Sequence, residues 1–149
     1  MEKSLINSKF QMSKKNILID MSATIIHHGH IRLINKASKI GKVIISLTKD
    51  KEIENFKGYK PEIKFSHRKE ILMSITNVSK VIPSNFYITN SFLKKHKIDF
   101  LVHGNDNKND IEKHKMKIFK RTKGISSTII RKKVLKNFKL VNEKKNKKK

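Results

Sequence analysis

The sequence predicts one α/β domain, a parallel sheet with helices on both faces. Two observations lead there. Short apolar runs of strand length alternate with stretches of helical period along most of the chain, the rhythm produced by parallel strands joined through right-handed crossovers. The chain also has 149 residues, 36% of them hydrophobic, and no Cys. That is enough for a single core burying about 70% of the unfolded surface, with no disulfide or thiolate-bound metal to staple it.

The elements follow in order. The first 15 residues are polar and unpatterned and read as an N-terminal extension to a single domain over 16–141. Ile17, Leu18 and Ile19 make a strand over 16–21. Ile31, Leu33, Ile34, Ala37 and Ile40 recur at helical spacing over 30–40, and Gly41 stops the helix. Val43, Ile44 and Ile45 give a second strand over 42–47. The segment 48–65 is polar, contains Gly58 and Pro61, and reads as a loop. A helix over 66–78 carries Ile71, Leu72, Ile75 and Val78 on one face, with Ser66 as its N-cap and Glu70 in the first turn.

A short strand over 80–83 ends at Pro83. A brief helix over 91–96, a buried strand over 99–103 and a weaker one over 116–119 complete the sheet. The last helix, 126–138, has an apolar face of Ile129, Ile130, Val134, Leu135 and Phe138 that is expected to pack on the sheet. The segment 142–149 has no apolar residue and is expected to be a disordered basic tail.

Charge narrows the partners. Lys+Arg number 36 against 12 Asp+Glu, a formal charge of +24, which favours anionic partners: nucleotides, acidic lipid surfaces or nucleic acid. The cations are 32 Lys and only four Arg (Arg32, Arg68, Arg121 and Arg131), beside 22 Ile and 13 Asn. That mix reflects A/T-biased codons more than selection for nucleic acid. With 7% aromatics and no nucleic-acid motif, a nucleic-acid module is the weaker reading. No apolar run approaches the ~20 residues needed to cross a bilayer, and residues 1–15 hold no stretch of signal-peptide length. A cytoplasmic protein is therefore expected.

In such a sheet, ligands sit beyond the carboxyl ends of the strands, and the unusual residues lie in those loops. His27, His28, Gly29 and His30 stand between the first strand and its helix. His27 and His30 are three apart and share a face, Gly29 permits close backbone approach, and helix N–H groups attract phosphate there. A histidine metal pair and incidental surface histidines are the competing readings. The second cluster runs from Arg121 to Thr128: Gly124 breaks the backbone, and Ser126, Ser127 and Thr128 offer hydroxyls at a helix mouth flanked by Arg121 and Lys123. That suits a phosphate chain, although an ordinary capped helix start would look alike. Neither cluster is the Gly-rich dinucleotide fingerprint or the Gly-Lys-Ser/Thr phosphate loop.

Together the clusters resemble the cytidylyltransferases that make CDP-alcohols, the glycerol-3-phosphate, phosphocholine and phosphoethanolamine enzymes. The HxGH motif of that family is here His27 to His30, and its Arg-Thr-x-Gly-Ile-Ser-Thr-Thr motif is here Arg121 to Thr128. Between them, Lys57, Arg68 and the strand ending at Pro83 are similar to the family's lysine loop, helix arginine and following strand. Met21, Ser22 and Ala23 before the histidines, with Val102, His103 and Gly104, look closest to the branch that activates phosphonates such as 2-aminoethylphosphonate. Thr24 and Asn105 stand where the family usually has Asp.

The resemblance implies a Rossmann-like nucleotidyltransferase fold and transfer of CMP from CTP, with Mg²⁺, to a small phosphoalcohol or phosphonate. It places His27 and His30 at the α-phosphate, Lys57 at the bridging phosphates, and Arg121 with Ser126, Ser127 and Thr128 at the β- and γ-phosphates. Ser22, Ala23, Gly29, Gly104, Asp106, Gly124 and Ile125 complete the nucleotide site. Arg68 and Lys60 fall to the acceptor, and Asp106 to the metal. A homodimer and weak contact of the basic tail with anionic membrane are further expectations. An adenylyltransferase of the same superfamily, sharing HxGH, and a non-catalytic basic module binding nucleic acid or a membrane surface are the alternatives.

Overall fold

A computed structural model describes residues 14–104 and 106–146. Five strands form one parallel sheet: β1 (Asn16–Met21), β2 (Lys42–Thr48), β3 (Val78–Ser84), β4 (Phe100–His103) and β5 (Met116–Ile118), in the order β3-β2-β1-β4-β5. The chain walks outward from β1 to β3, then returns to the other side of β1. Strand order therefore reverses between β1 and β4, the place where α/β sheets bind ligands.

The strands read as continuous apolar runs because both faces are covered. On one face Ile17, Ile19, Val43, Ile45 and Val102 pack with Ile34 and Ala37 of α1 (His28–Ser38) and Leu72 of α3 (Phe65–Met73). On the other, Leu18, Ile44, Ile82 and Leu101 pack with Leu93 of α4 (Asn90–Lys95). The expected α/β architecture with helices on both faces is the one observed.

The differences are local. The segment expected to be a loop contains α2 (Asp50–Lys57). Its single buried residue, Ile53, leaves almost no apolar period, but Asp50 and Glu52 in the first turn, Lys57 in the last and a left-handed Gly58 cap at φ 74° stabilise it. Helix α3 begins after Lys64, not at a Ser66 cap, and closes at Ser74, so that Val78 belongs to β3. Lys15 is already anchored, its carbonyl accepting from Lys42 N–H at 2.7 Å, so only 1–13 of the expected extension lie outside the described residues.

The last helix departs most. It is α5 (Ser127–Asn146), which continues through five of the eight residues expected to be disordered; 147–149 lie outside the described residues. Nor does its apolar face reach the sheet, since Val134, Leu135 and Phe138 are 61%, 56% and 63% exposed. Helical spacing was legible in the sequence, but spacing does not say what covers a face, and from Lys132 to Lys145 every described side chain is exposed.

Candidate active site

The ends of β1 and β4 and the N-termini of α1 and α5 enclose a cleft of about 510 Å³. His27 is the N-cap of α1: its Nδ1 accepts from Gly29 N–H at 3.1 Å, while His27 N–H donates to His30 Nδ1 at 3.3 Å. The two rings lie 4.0 Å apart. An Nδ1 that accepts leaves the proton of the neutral ring on Nε2. Both rings are neutral near pH 7. Burial, then His27 and Arg121, lower the His30 pKa to about 4, and burial, then His28 and Arg121, lower that of His27. Gly29 is required by space, because a Cβ there would stand 2.9 Å from the His27 ring. The site thus presents two neutral N–H donors at a positive helix end.

Arg121, across the cleft, is held by Asp106 at 2.6 Å. Ser126 Oγ accepts from Ile129 N–H at 3.1 Å, and Ser127 Oγ donates to the Ile25 carbonyl at 3.1 Å, docking the start of α5 beside the loop after β1. Ser22, Ala23, Lys57, Gly104, Ile125 and Thr128 also line the cleft. Ala23 does so at φ 44°, a strained conformation for a residue with a Cβ.

Three expected site residues do not line it. Arg68 is fully buried, donating to the carbonyls of Ile63 (2.9 Å), Thr48 (2.9 Å) and Ser22 and to Asp50 Oδ1 at 2.6 Å. With its guanidinium spent on the protein, the expected acceptor contact is corrected to a tie between the ends of β1 and β2. Lys60 is exposed outside the cleft, and Gly124 serves as a turn at φ 76° beside it. His28 is exposed and also turned away.

The cleft holds residues that motif reasoning missed. Asp20, at the end of β1, lies 3.5 Å from His103 Nε2 and accepts from Asn109 Nδ2 at 3.0 Å. Burial pushes its carboxyl up, against the pull of His103 and the Asn109 hydrogen bond. A charged residue closing an apolar strand was the signal available. Arg131 pairs with Glu62, donates to Thr24 Oγ1 at 2.7 Å and lies 4.5 Å over the Tyr59 ring. The aromatic trio of exposed Phe56, half-buried Phe86 and exposed Tyr87 forms one wall, with Phe56 and Phe86 stacked at 4.7 Å. No sequence pattern joins these residues; only the fold does.

A family model described as cytidylyltransferase-like matches residues 22–133. The chain belongs to that family. Glycerol-3-phosphate cytidylyltransferase of Bacillus spizizenii is 33% identical over 123 residues, covering 79% of this chain and 95% of that protein. Ethanolamine-phosphate cytidylyltransferase of Mus musculus is 32% identical over 115 residues, which is 69% of this chain and 28% of that one. The solved lipopolysaccharide core biosynthesis protein of Thermoplasma volcanium shares the fold at a TM-score of 0.58 and 20% identity, covering 66% of this chain and 80% of that one. This cytidylyltransferase is accordingly a nucleotidyltransferase, and the relatives favour cytidylyl over adenylyl transfer.

Proposed function

We propose that this cytidylyltransferase moves CMP from CTP to a small phosphoalcohol or phosphonate: glycerol 3-phosphate, phosphoethanolamine, phosphocholine or 2-aminoethylphosphonate. The observation supporting this most is the neutral His27–His30 pair at the N-terminus of α1, facing Arg121 and the hydroxyls of α5. An acceptor oxygen attacks the α-phosphorus, the bond to the β-phosphate oxygen breaks, and pyrophosphate leaves. Such an acceptor is largely ionised at pH 7, its second pKa lying near ~6, so no general base is needed. Alignment and charge stabilisation suffice.

His27 and His30 donate Nε2–H to the α-phosphoryl oxygens as their charge grows. Lys57, at the end of α2, meets the bridging phosphates. Arg121 leaves Asp106 for the β- and γ-phosphates, where Ser126, Ser127 and Thr128 add hydroxyls. Among the described residues no group of three His, Asp or Glu could hold a metal alone. Asp106 beside a triphosphate still fits Mg²⁺, which takes one or two carboxylates and completes its shell with phosphates and water. Bound there, Mg²⁺ would offset triphosphate charge. A homodimer, cytoplasmic location and weak attraction of the basic C-terminal end to anionic membrane belong to the same reading; among the described residues no helix is long and apolar enough to cross a membrane.

The test is pyrophosphate release with CTP or ATP and Mg²⁺ against the four acceptors. CTP with one acceptor should dominate. Equal or better use of ATP across the panel removes the cytidylyl assignment.

A further inference from the structure

Asp20 is an acid in a cleft that otherwise suits anions. CTP, pyrophosphate and the acceptor's phosphate are all negative, yet this carboxylate, on the penultimate residue of β1, lines the same cleft as His27, His30 and Arg121. Its side chain is 12% exposed. The chain has 36 Lys and Arg, but among the described residues none of them pairs with it; His103 Nε2 lies 3.5 Å away and Asn109 Nδ2 donates to Oδ2 at 3.0 Å. Oδ1 is buried and has no partner. Holding a carboxylate out of water without a cation is costly, and that cost falls away when a cation binds beside it. The cations of the proposed reaction are Mg²⁺, placed at Asp106, and an ammonium group on the acceptor.

The surroundings of Asp20 decide which ammonium fits. Asn109 Oδ1 accepts from Ile88 N–H at 2.7 Å, which sets the segment carrying Phe86 and Tyr87 beside Asp20. Phe56 stacks on Phe86 at 4.7 Å, and the Tyr87 ring stands at 84° to both. The rings therefore spend faces on one another and supply one wall, not a cage. A trimethylammonium has no N–H and is held by aromatic faces on several sides. A primary ammonium has three N–H donors, like that of lysine, and is held by a carboxylate, with an apolar wall covering its alkyl stem.

We propose that Asp20 takes the primary ammonium of the acceptor, so that the substrate is an aminoalkyl phosphate or phosphonate, phosphoethanolamine or 2-aminoethylphosphonate, in preference to glycerol 3-phosphate or phosphocholine. The inference rests on the transfer reaction proposed above and names its acceptor class. The phosphate or phosphonate end of the acceptor faces His27 and His30, where attack occurs. Lys57 Nζ, 5.8 Å from the Phe86 ring centre, joins the aromatic wall to the phosphates. Glycerol 3-phosphate brings no positive charge to Asp20 and leaves the carboxylate uncompensated.

The test is steady-state pyrophosphate release by the full chain with CTP and Mg²⁺. The acceptors are phosphoethanolamine, 2-aminoethylphosphonate, phosphocholine, glycerol 3-phosphate and ethylphosphonate, which lacks the amine. One of the two primary amines should exceed the other three acceptors in kcat/KM by at least ~10-fold, the scale of a hydrogen bond to a charged group, and which one leads tells phosphate from phosphonate. Asp20→Asn preserves the shape and an oxygen for Asn109; it should raise KM for that amine at least ~10-fold and leave KM for CTP and the Mg²⁺ dependence near the parent's. A parent that prefers glycerol 3-phosphate, phosphocholine or ethylphosphonate overturns the inference, whether or not the variant folds, and leaves CTP-dependent transfer standing. A variant with the parent's KM for the amine and a lower melting temperature overturns it in favour of a structural role. One that shifts KM for CTP or the Mg²⁺ requirement instead overturns it by assigning Asp20 to the base or the metal. Absence of CTP-dependent release with every acceptor overturns the proposed function and this inference with it.

Discussion

At the scale of single residues, His27 has two nitrogens with two tasks: Nδ1 caps α1, and in the proposed reaction Nε2 donates to the α-phosphoryl oxygens. The tasks can be separated. Asn is a good N-cap, so His27→Asn should melt near the parent temperature while turnover falls ~10²–10³-fold, the effect of losing one transition-state donor. His27→Ala should lose the rate and also about 1 kcal/mol of cap energy, and His30→Ala should lose the rate. Steady-state pyrophosphate release and thermal melts read the two effects; a His27→Asn enzyme with normal turnover rules out the donor role.

His30 also makes a pH prediction. Its folded pKa of about 4 lies below its ordinary 6.5, so on acidification the unfolded chain takes up the proton first. Stability is then intact above pH 6.5 and falls as the pH drops toward 4, by about 3 kcal/mol in total. Gln at the same position retains a capping-box partner without titrating. Urea midpoints at both ends of this window should show a shallower acid loss in His30→Gln than in the parent. Arg121→Lys preserves charge but loses the bidentate fork; its main effect should be weaker CTP binding by titration calorimetry, and unchanged affinity would remove Arg121 from the phosphate site.

At the scale of elements, what was legible in the sequence and what was not have a common cause. The buried strands announce themselves because both faces need apolar side chains, as Ile17, Leu18 and Ile19 show. Helix α2 is invisible to periodicity because it buries Ile53 alone. The site followed the same rule: residues adjacent in sequence at a helix mouth, His27 to His30 and Ser126 to Thr128, could be read together. Asp20, His103 and Asn109 converge only once β1 and β4 are side by side. The resemblance assigns Arg68 to the acceptor from its place on a helix alone, whereas its guanidinium satisfies the carbonyls at the ends of β1 and β2, which meet only in the fold. Arg68→Ala should therefore cost about 3–5 kcal/mol, the effect of breaking a buried charged network, and lower activity only as the folded fraction falls. Urea unfolding measures the first and activity per folded molecule the second.

At the scale of the whole molecule, the charge of +24 draws anionic substrates from a distance, and the far end of α5 contributes little to the fold that holds the cleft. Truncation after Val141 should leave thermal stability within about 0.5 kcal/mol, as for surface changes elsewhere, and leave pyrophosphate release intact. A large loss of either would mean that the end of α5 supports the core. The central position of β1 has a temporal consequence. Asn16 N–H reaches Asp99 Oδ2 at 2.7 Å across 83 residues of chain, and β4 completes its pairing with β1 only after β2 and β3 have been made. Distant pairings of this kind form slowly, since a long loop must close before they give anything back. As the chain emerges from the ribosome, then, the residues of the histidine end of the cleft are made well before those of its far wall, and the candidate site should close only late in folding.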